Sequence, residues 1–201
     1  MIKFLILLKA INFYTMRHTR KYFDSANLVT GFSPLLADHD EQVTALVLGT
    51  APSVKSLQLQ QYYAHPQNTF WWIMGQLFEF DHQLAYDQRH KLLNDNGVVV
   101  WDVLQSCERE GSLDSSIQFE SEVANDIPKF LSQYCGIKKI ICNGGMAFKL
   151  LKRHHPQLFE QDFEILQMPS TSPANARMSK QEKLAKWAEL KFPNKGKDLE
   201  H

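Results

Sequence analysis

Four short apolar runs recur along the chain, and helical segments separate them. Each run is rich in Val, Ile or Leu and is bounded by polar or Gly-containing stretches, which is the pattern of buried strands. The runs are residues 44–48, 98–101, 138–142 and 163–166. Because strands alternate with helices, we predict an α/β fold of three layers (α/β/α) with a central, four-stranded, mainly parallel sheet.

The segments between the runs have apolar positions at helical spacing. Helices are predicted over residues 54–62 (a short helix or turn), 70–80, 86–94, 125–134 and 147–153. A final helix begins after Ser179, which forms a capping box with Glu182 three residues later. We expect a domain at residues 29–192, preceded by an extension at 1–28 and followed by a tail at 193–201 that resembles an expression-tag remnant.

Charge and cysteine content narrow the classes of function. The 201-residue chain has a formal net charge of zero, so binding to nucleic acid requires a local basic face or helix N-termini. Cys107, Cys135 and Cys142 form no CxxC pair, which argues against a disulfide framework, structural zinc or an iron–sulfur cluster. We expect a cytoplasmic protein without a membrane span, because Lys9 interrupts the only signal-like apolar run.

Polar and aromatic side chains concentrate where the predicted strands end. Residues 49–72 follow the first strand and are dense in Tyr, His, Asn, Phe and Trp. Asp102 follows the second strand, Asn143 follows the third, and a Ser/Thr/Pro loop at residues 168–175 follows the fourth. Parallel α/β sheets bind ligands at the carboxyl ends of their strands, so we expect one site there.

Nucleotide binding is one hypothesis for this site. Residues 49–56 nearly match the phosphate-binding pattern G-x-x-x-x-G-K-[ST]. However, Val54 occupies the position of the second Gly, and Pro52 removes an amide donor from the loop. A phosphate-binding loop is therefore the weaker alternative, and serine hydrolase chemistry lacks its G-x-S-x-G motif.

A pocket for an extruded nucleobase is the second hypothesis. Such a pocket needs a ring for stacking, polar groups that read the base edge, and a group that orients water. Tyr63 supplies the ring, Asn68 the water-orienting amide, and Asp102 and Asn143 the edge readers. Each residue alone also has an ordinary interpretation as core, cap or turn, so the hypothesis depends on the combination.

Five segments together resemble the uracil-DNA glycosylase superfamily, and within it the hypoxanthine-DNA (deoxyinosine) glycosylase branch. They are GTAP at 49–52, YYAHPQNTFW at 62–71, WDVLQSCEREGSLD at 101–114, NG at 143–144 and PSTSPAN at 169–175. The resemblance extends from Gly31 to Leu190. It implies a monofunctional DNA glycosylase without metal or cofactor. The implied substrate is DNA with a deaminated base, hypoxanthine or also uracil, and we expect the protein to act as a monomer.

The resemblance also implies site residues. It assigns catalysis to Asn68 and base binding to Tyr63, Thr50, Ala51, Asp102 and Asn143. The residues expected to contact DNA are Ser170, Thr171, Ser172, Asn175 and Arg177.

Two positions depart from other branches of the superfamily. Ala51 and Met168 stand where those branches carry polar catalytic side chains. A module of the same fold that binds DNA or a nucleotide with little or no activity is therefore an open alternative. Arg177, Lys180 and Lys183 lie near the last loop, and we expect them to bind phosphates.

Overall fold

The structure is a computed structural model that describes residues 27–36 and 43–191. In chain order its strands are β1 (Leu28–Thr30), β2 (Ala45–Gly49), β3 (Val98–Asp102), β4 (Leu104–Glu108), β5 (Val123–Ala124), β6 (Lys139–Asn143) and β7 (Glu164–Met168). Its α-helices are α1 (Val54–Leu59), α2 (Phe70–Phe78), α3 (Tyr86–Asp95), α4 (Ile127–Gln133), α5 (Gly145–His154) and α6 (Lys180–Trp187).

The main sheet has four strands in the order β3-β2-β6-β7, and every pairing in it is parallel. All residues of β2, β3 and β6 are buried, as expected for strands covered by helices on both faces. The predicted three-layer fold and its parallel sheet are therefore confirmed, with strand bounds displaced by only one or two residues.

The ends of the helices follow from local hydrogen bonds. The Ser179 side chain accepts from the Glu182 amide, and the Glu182 side chain accepts in return from the Ser179 amide, which confirms the capping box. Helix α4 begins at Ile127 rather than at the predicted Asn125, because the Asp126 side chain accepts from the Lys129 amide and caps the helix there. None of the helices in the described residues is long and apolar enough to cross a membrane.

A second sheet, in the antiparallel order β1-β4-β5, was not predicted. The sequence pattern predicts no strand in residues 107–114, but Cys107 and Glu108 belong to β4. Leu28, assigned to the N-terminal extension, pairs with Glu108. The rest of that extension, residues 1–26, and the predicted tail lie outside the described residues. The second sheet positions residues 109–116 beside the loop that follows β2.

Candidate active site

A cavity of about 540 Å³ lies at the carboxyl edge of the parallel sheet. The loops that follow β2, β4 and β7 contribute to its walls, together with the last residues of β3 and β6. The sequence-predicted site residues that line it are Thr50, Ala51, Tyr63, Asn68, Asp102, Asn143, Ser170, Thr171, Ser172, Asn175 and Arg177. The expectation that strand-end residues converge on one place therefore agrees with this geometry, whereas their chemical roles stay predictions.

Asp102 is the most deeply buried carboxylate of the cavity, with 3% of its surface exposed. It pairs in register with Gly49, where any Cβ would overlap the Asp102 Oδ1 atom, so only glycine admits this carboxylate. Burial, followed by the negative charge of Asp114, raises the pKa of Asp102 to about 7, and Arg109 opposes the shift. No described residue donates a hydrogen bond to Asp102 Oδ2, which leaves that oxygen available to a ligand.

Tyr63 forms an aromatic wall of the same cavity. Its ring stacks on Phe70 with the centroids 3.9 Å apart and an interplanar angle of 27°. Since Phe70 covers one face of the ring, the opposite face is the one that a flat ligand can cover. The backbone of Tyr63 has a φ of 55°, which is strained for a bulky residue and is typical of functional sites. Burial and the nearby Asp102 raise the pKa of Tyr63, so its phenol is neutral.

Asn68 lies just before α2, and the start of that helix fixes its amide. The Phe70 amide donates to Asn68 Oδ1 over 3.0 Å, so this atom must be the oxygen. The backbone amide of Asn68 donates to the His65 carbonyl over 2.8 Å. No described residue accepts from Asn68 Nδ2. The side chain is thus a neutral group of fixed orientation, with its NH₂ left for a ligand or water.

Asn143 anchors the loop that follows β7. Its Nδ2 donates to Thr171 Oγ1 and its Oδ1 accepts from the Thr171 amide, both over 2.9 Å. Thr171 is fully buried, and its carbonyl also accepts from the Thr69 amide over 3.0 Å. Thr171 therefore connects the β6 end to the start of α2. In this arrangement Asn143 holds the cavity wall in addition to lining it.

Glycine at position 144 allows the last loop to approach β6 closely. Gly144 has a φ of 107°, and a Cβ there would lie 3.0 Å from the Ser170 Cβ. Within the loop, Asn175 Nδ2 donates to the Ser170 carbonyl over 3.1 Å, which closes a compact turn. Ser170, Ser172 and Asn175 are half-buried along the cavity, and Arg177 is exposed at its rim.

The cations near this loop differ in position. Lys180 is exposed, with its Nζ 4.6 Å from the centroid of the Trp72 ring. Lys183 has only 3% of its surface exposed, so the prediction that it binds phosphate is wrong. It lies on the inward side of α6, where the amphipathic pattern of the helix gave no reason to expect a lysine.

Two charged residues of the site were missed by the sequence interpretation. The guanidinium of Arg109, 3% exposed, donates to the carbonyls of Pro52 and Gly111, and its Nη1 lies 3.7 Å from Asp114 Oδ1. Thr50 Oγ1 donates to Asp114 Oδ2 over 2.8 Å. Burial raises the pKa of Asp114, while Thr50 and Arg109 oppose the shift. Both residues fall inside the segment 101–114, but nothing in the sequence indicated their burial, because charged side chains are normally solvated.

The fold and the site together define an α/β/α protein with a polar and aromatic cavity suited to one flat, hydrogen-bonding ring. The chain belongs to the uracil DNA glycosylase superfamily, whose family model matches residues 37–191. Two curated relatives, both called hypoxanthine DNA glycosylase, come from Methanosarcina acetivorans and Methanosarcina barkeri. The first is 36% identical over 75% of this chain and 90% of its own length. The second is 33% identical over 79% of this chain and 95% of its own length.

A solved structure is also similar. The solution NMR structure of a candidate uracil DNA glycosylase from Methanosarcina acetivorans superimposes with a TM-score of 0.66 at 33% identity. The match covers 81% of this chain and 98% of the other. Membership of the superfamily makes this protein a hydrolase that acts on N-glycosyl bonds.

Proposed function

We propose that the protein is a monofunctional DNA glycosylase that releases hypoxanthine from deoxyinosine, with uracil as a second base. The observation that carries this proposal is the pairing, in one cavity, of a stacking ring at Tyr63 with an unpartnered carboxylate at Asp102. The two curated relatives that bear the name hypoxanthine DNA glycosylase support the choice of base. We also propose that the protein acts as a monomer.

Base recognition follows from the chemistry of the cavity. An extruded hypoxanthine stacks on the free face of Tyr63, as flipped bases do on aromatic side chains. Its amide edge presents an N1–H donor beside the O6 acceptor. A neutral Asp102 offers the complementary pair, a carbonyl acceptor and an O–H donor, and its pKa of about 7 keeps that form populated near neutrality.

Bond cleavage needs positioning rather than a strong nucleophile at Asn68. Its amide is neutral and does not take a proton near pH 7, so its role is to orient water. This role fits a reaction in which the glycosidic bond breaks largely before water attacks, through a sugar of oxocarbenium character. The hydrogen bond from the Phe70 amide to Asn68 Oδ1 holds the side-chain amide in one orientation, which reduces the entropic cost of positioning the water.

The DNA strand enters along the last loop. Ser170, Ser172 and Asn175 offer hydroxyls, an amide and backbone N–H groups at the rim, and Arg177 adds an exposed positive charge. We assign Thr171 to holding this loop, because its side chain is fully buried against Asn143. Contacts with phosphate then run through its neighbours.

The phosphate-binding alternative finds less support. The Val54 amide, which would face a phosphate, donates to Ser112 Oγ over 3.0 Å. The Pro52 carbonyl is bonded to the buried Arg109. The loop at residues 49–56 is thus tied to the protein itself, unlike a loop whose amides surround a ligand.

The inactive-module alternative is decided by an assay. Labelled duplexes carry one deoxyinosine, deoxyuridine, deoxyxanthosine or unmodified deoxyadenosine, and each is incubated with the protein in EDTA. Samples are analysed before and after hot alkali, which cleaves abasic sites. We expect alkali-dependent cleavage of the deoxyinosine strand, lost in Asn68→Ala and retained in the matched control Asn96→Ala, an exposed residue outside the cavity.

Other outcomes would change the conclusion. Cleavage of the deoxyuridine strand alone would contradict the assignment to hypoxanthine. Breakage before alkali would contradict monofunctional chemistry. Binding of the deoxyinosine duplex without any cleavage, by correctly folded protein, would favour the inactive module and draw attention to Ala51 and Met168.

A further inference from the structure

The second sheet delivers a carboxylate into the cavity. Asp114 begins a short 3₁₀ turn, Asp114–Ser116, and its Oδ2 is bonded to the Thr50 hydroxyl over 2.8 Å. Arg109 lies on its other side, with Nη1 3.7 Å from Oδ1. The Asp114 side chain is 41% exposed, whereas Asp102 is buried at 3%. Of the two carboxylates that line the cavity, Asp114 is the one that water reaches.

Hydrolysis of an N-glycosidic bond leaves two tasks that Asn68 does not perform. The sugar develops positive charge at C1′ as the base departs, and the attacking water must lose a proton. An anionic carboxylate performs both tasks in glycoside hydrolysis generally. Asp102 is poorly suited to these two tasks, because burial favours its neutral form. Its buried position suits hydrogen bonding to the edge of the nucleobase instead.

We propose that Asp114 is a catalytic residue, the general base and the anion that stabilises the oxocarbenium-like sugar, acting on a water that Asn68 orients. This inference rests on the proposed glycosylase activity. The C1′–N9 bond of deoxyinosine breaks and its electron pair stays on hypoxanthine. Water oxygen forms the new bond to C1′, and one water proton passes to a carboxylate oxygen of Asp114. That proton then leaves to the departing base or to solvent, which restores the carboxylate.

The surroundings of Asp114 make it a stronger base than an ordinary Asp. The Arg109 guanidinium and the Thr50 hydroxyl stabilise the charged form. Among the described residues, the other titratable groups that interact with Asp114 are Asp102, Tyr63 and Cys107. Burial is the largest influence and raises the pKa of Asp114 above the ordinary value for Asp. The rate of cleavage should therefore rise as the pH passes through the raised pKa of Asp114, which gives the pH profile an acid limb.

The experiment compares Asp114→Asn with Asp114→Glu and with the matched control Asp162→Asn, which removes an exposed carboxylate outside the cavity. Single-turnover cleavage of a deoxyinosine duplex is measured across the mildly acidic to mildly alkaline range, with enzyme in excess. Binding to a duplex that carries a tetrahydrofuran abasic analogue is measured in parallel. We expect Asp114→Asn to lower the cleavage rate about 100-fold and to abolish the acid limb. Its binding should be unchanged or tighter, because a negative charge near phosphate is removed.

Asp114→Glu tests whether a carboxylate is required, and it should retain part of the rate and an acid limb. Thr50→Val is the second variant if Asp114→Asn does not fold. It removes the hydrogen bond that lowers the pKa of Asp114, so the acid limb should move to higher pH.

Two failures are distinguishable. A wild-type protein that cleaves none of the duplexes overturns the proposed function. Wild-type cleavage with Asp114→Asn within about threefold of it overturns only the role of Asp114, because loss of a general base costs far more than that. A lower rate with an unchanged acid limb and equally weakened binding also overturns it, because such a change belongs to a structural ion pair.

Discussion

Replacing Asp102 with asparagine should remove a pH-dependent loss of stability. Burial raises the pKa of Asp102 from 3.8 to about 7 in the folded protein. A raised pKa means that the folded state favours the protonated carboxyl. Protonated Asp102 therefore contributes stability that is fully present below about pH 4 and is lost as the pH rises to about 7. The folded and unfolded pKa values differ by about three, which at about 1.4 kcal/mol per pH unit corresponds to roughly 4 kcal/mol.

The asparagine side chain has nearly the same size as that of Asp102 and carries no charge at any pH, so the difference between the variant and the wild type isolates this cost. The free energy of unfolding of Asp102→Asn should match that of the wild type near pH 4. It should then exceed it by about 1.4 kcal/mol per pH unit and level off near roughly 4 kcal/mol above about pH 7. Urea denaturation at a series of fixed pH values across this range measures the difference directly.

A difference that stays constant across this range would refute the reasoning. It would mean that other groups stabilise the ionised carboxylate in the folded state. The unpartnered Oδ2 would then no longer indicate a group kept free for a ligand. The pH dependence of cleavage is a second test of the Asp102 carboxyl. Ionised Asp102 loses its O–H donor to the base, so cleavage by the wild type should fall above about pH 7. Asp102→Asn keeps an amide donor and should not show that fall.

Three further predictions concern other walls of the cavity. Asn68→Ala should lose at least about 100-fold in single-turnover rate while binding DNA normally in a mobility-shift assay, and a rate near that of the wild type would exclude the water-orienting role. Tyr63→Ala should lower kcat/KM by a factor that corresponds to about 1–3 kcal/mol of lost stacking, with Tyr63→Phe as the control that keeps the ring; equal values for the wild type and Tyr63→Ala would assign Tyr63 to packing alone. Arg177→Gln should reduce the slope of log K against log salt by about one, whereas Lys152→Gln, on an exposed turn of α5, should leave it unchanged; equal slopes for both would refute the phosphate contact.

The main sheet was predictable because three of its four strands, β2, β3 and β6, are buried along their whole length. Such strands read as continuous apolar runs, as in residues 98–101, and sequence periodicity detects them easily. The convergence of the site was predictable for a related reason. Once strands are parallel, Gly49, Asp102 and Asn143 must end at one edge whatever their side chains do.

The second sheet was not predictable by the same reasoning. Strand β1 has three residues and β5 has two, which is too short for an alternating pattern to be recognised. Strand β4 starts at Leu104, two residues after β3 ends, so the two read as one strand and a loop. What that sheet contributes, the approach of Arg109 and Asp114 to Thr50, depends on pairing over long sequence distances.

The cavity has a buried part and a solvent-exposed part because two different elements form its walls, the strand ends of the main sheet and the loop after β4. The strand ends are buried, so they hold Asp102 where its neutral form is favoured, which is the form that the proposed base recognition requires. The loop after β4 lies outside the main core, and it carries Asp114 to a position that solvent reaches. Arg109 fixes this loop, because its buried guanidinium donates to the Pro52 carbonyl in the loop that follows β2. A catalytic carboxylate needs both water and fixed geometry, and of the two carboxylates in the cavity only Asp114 has them together.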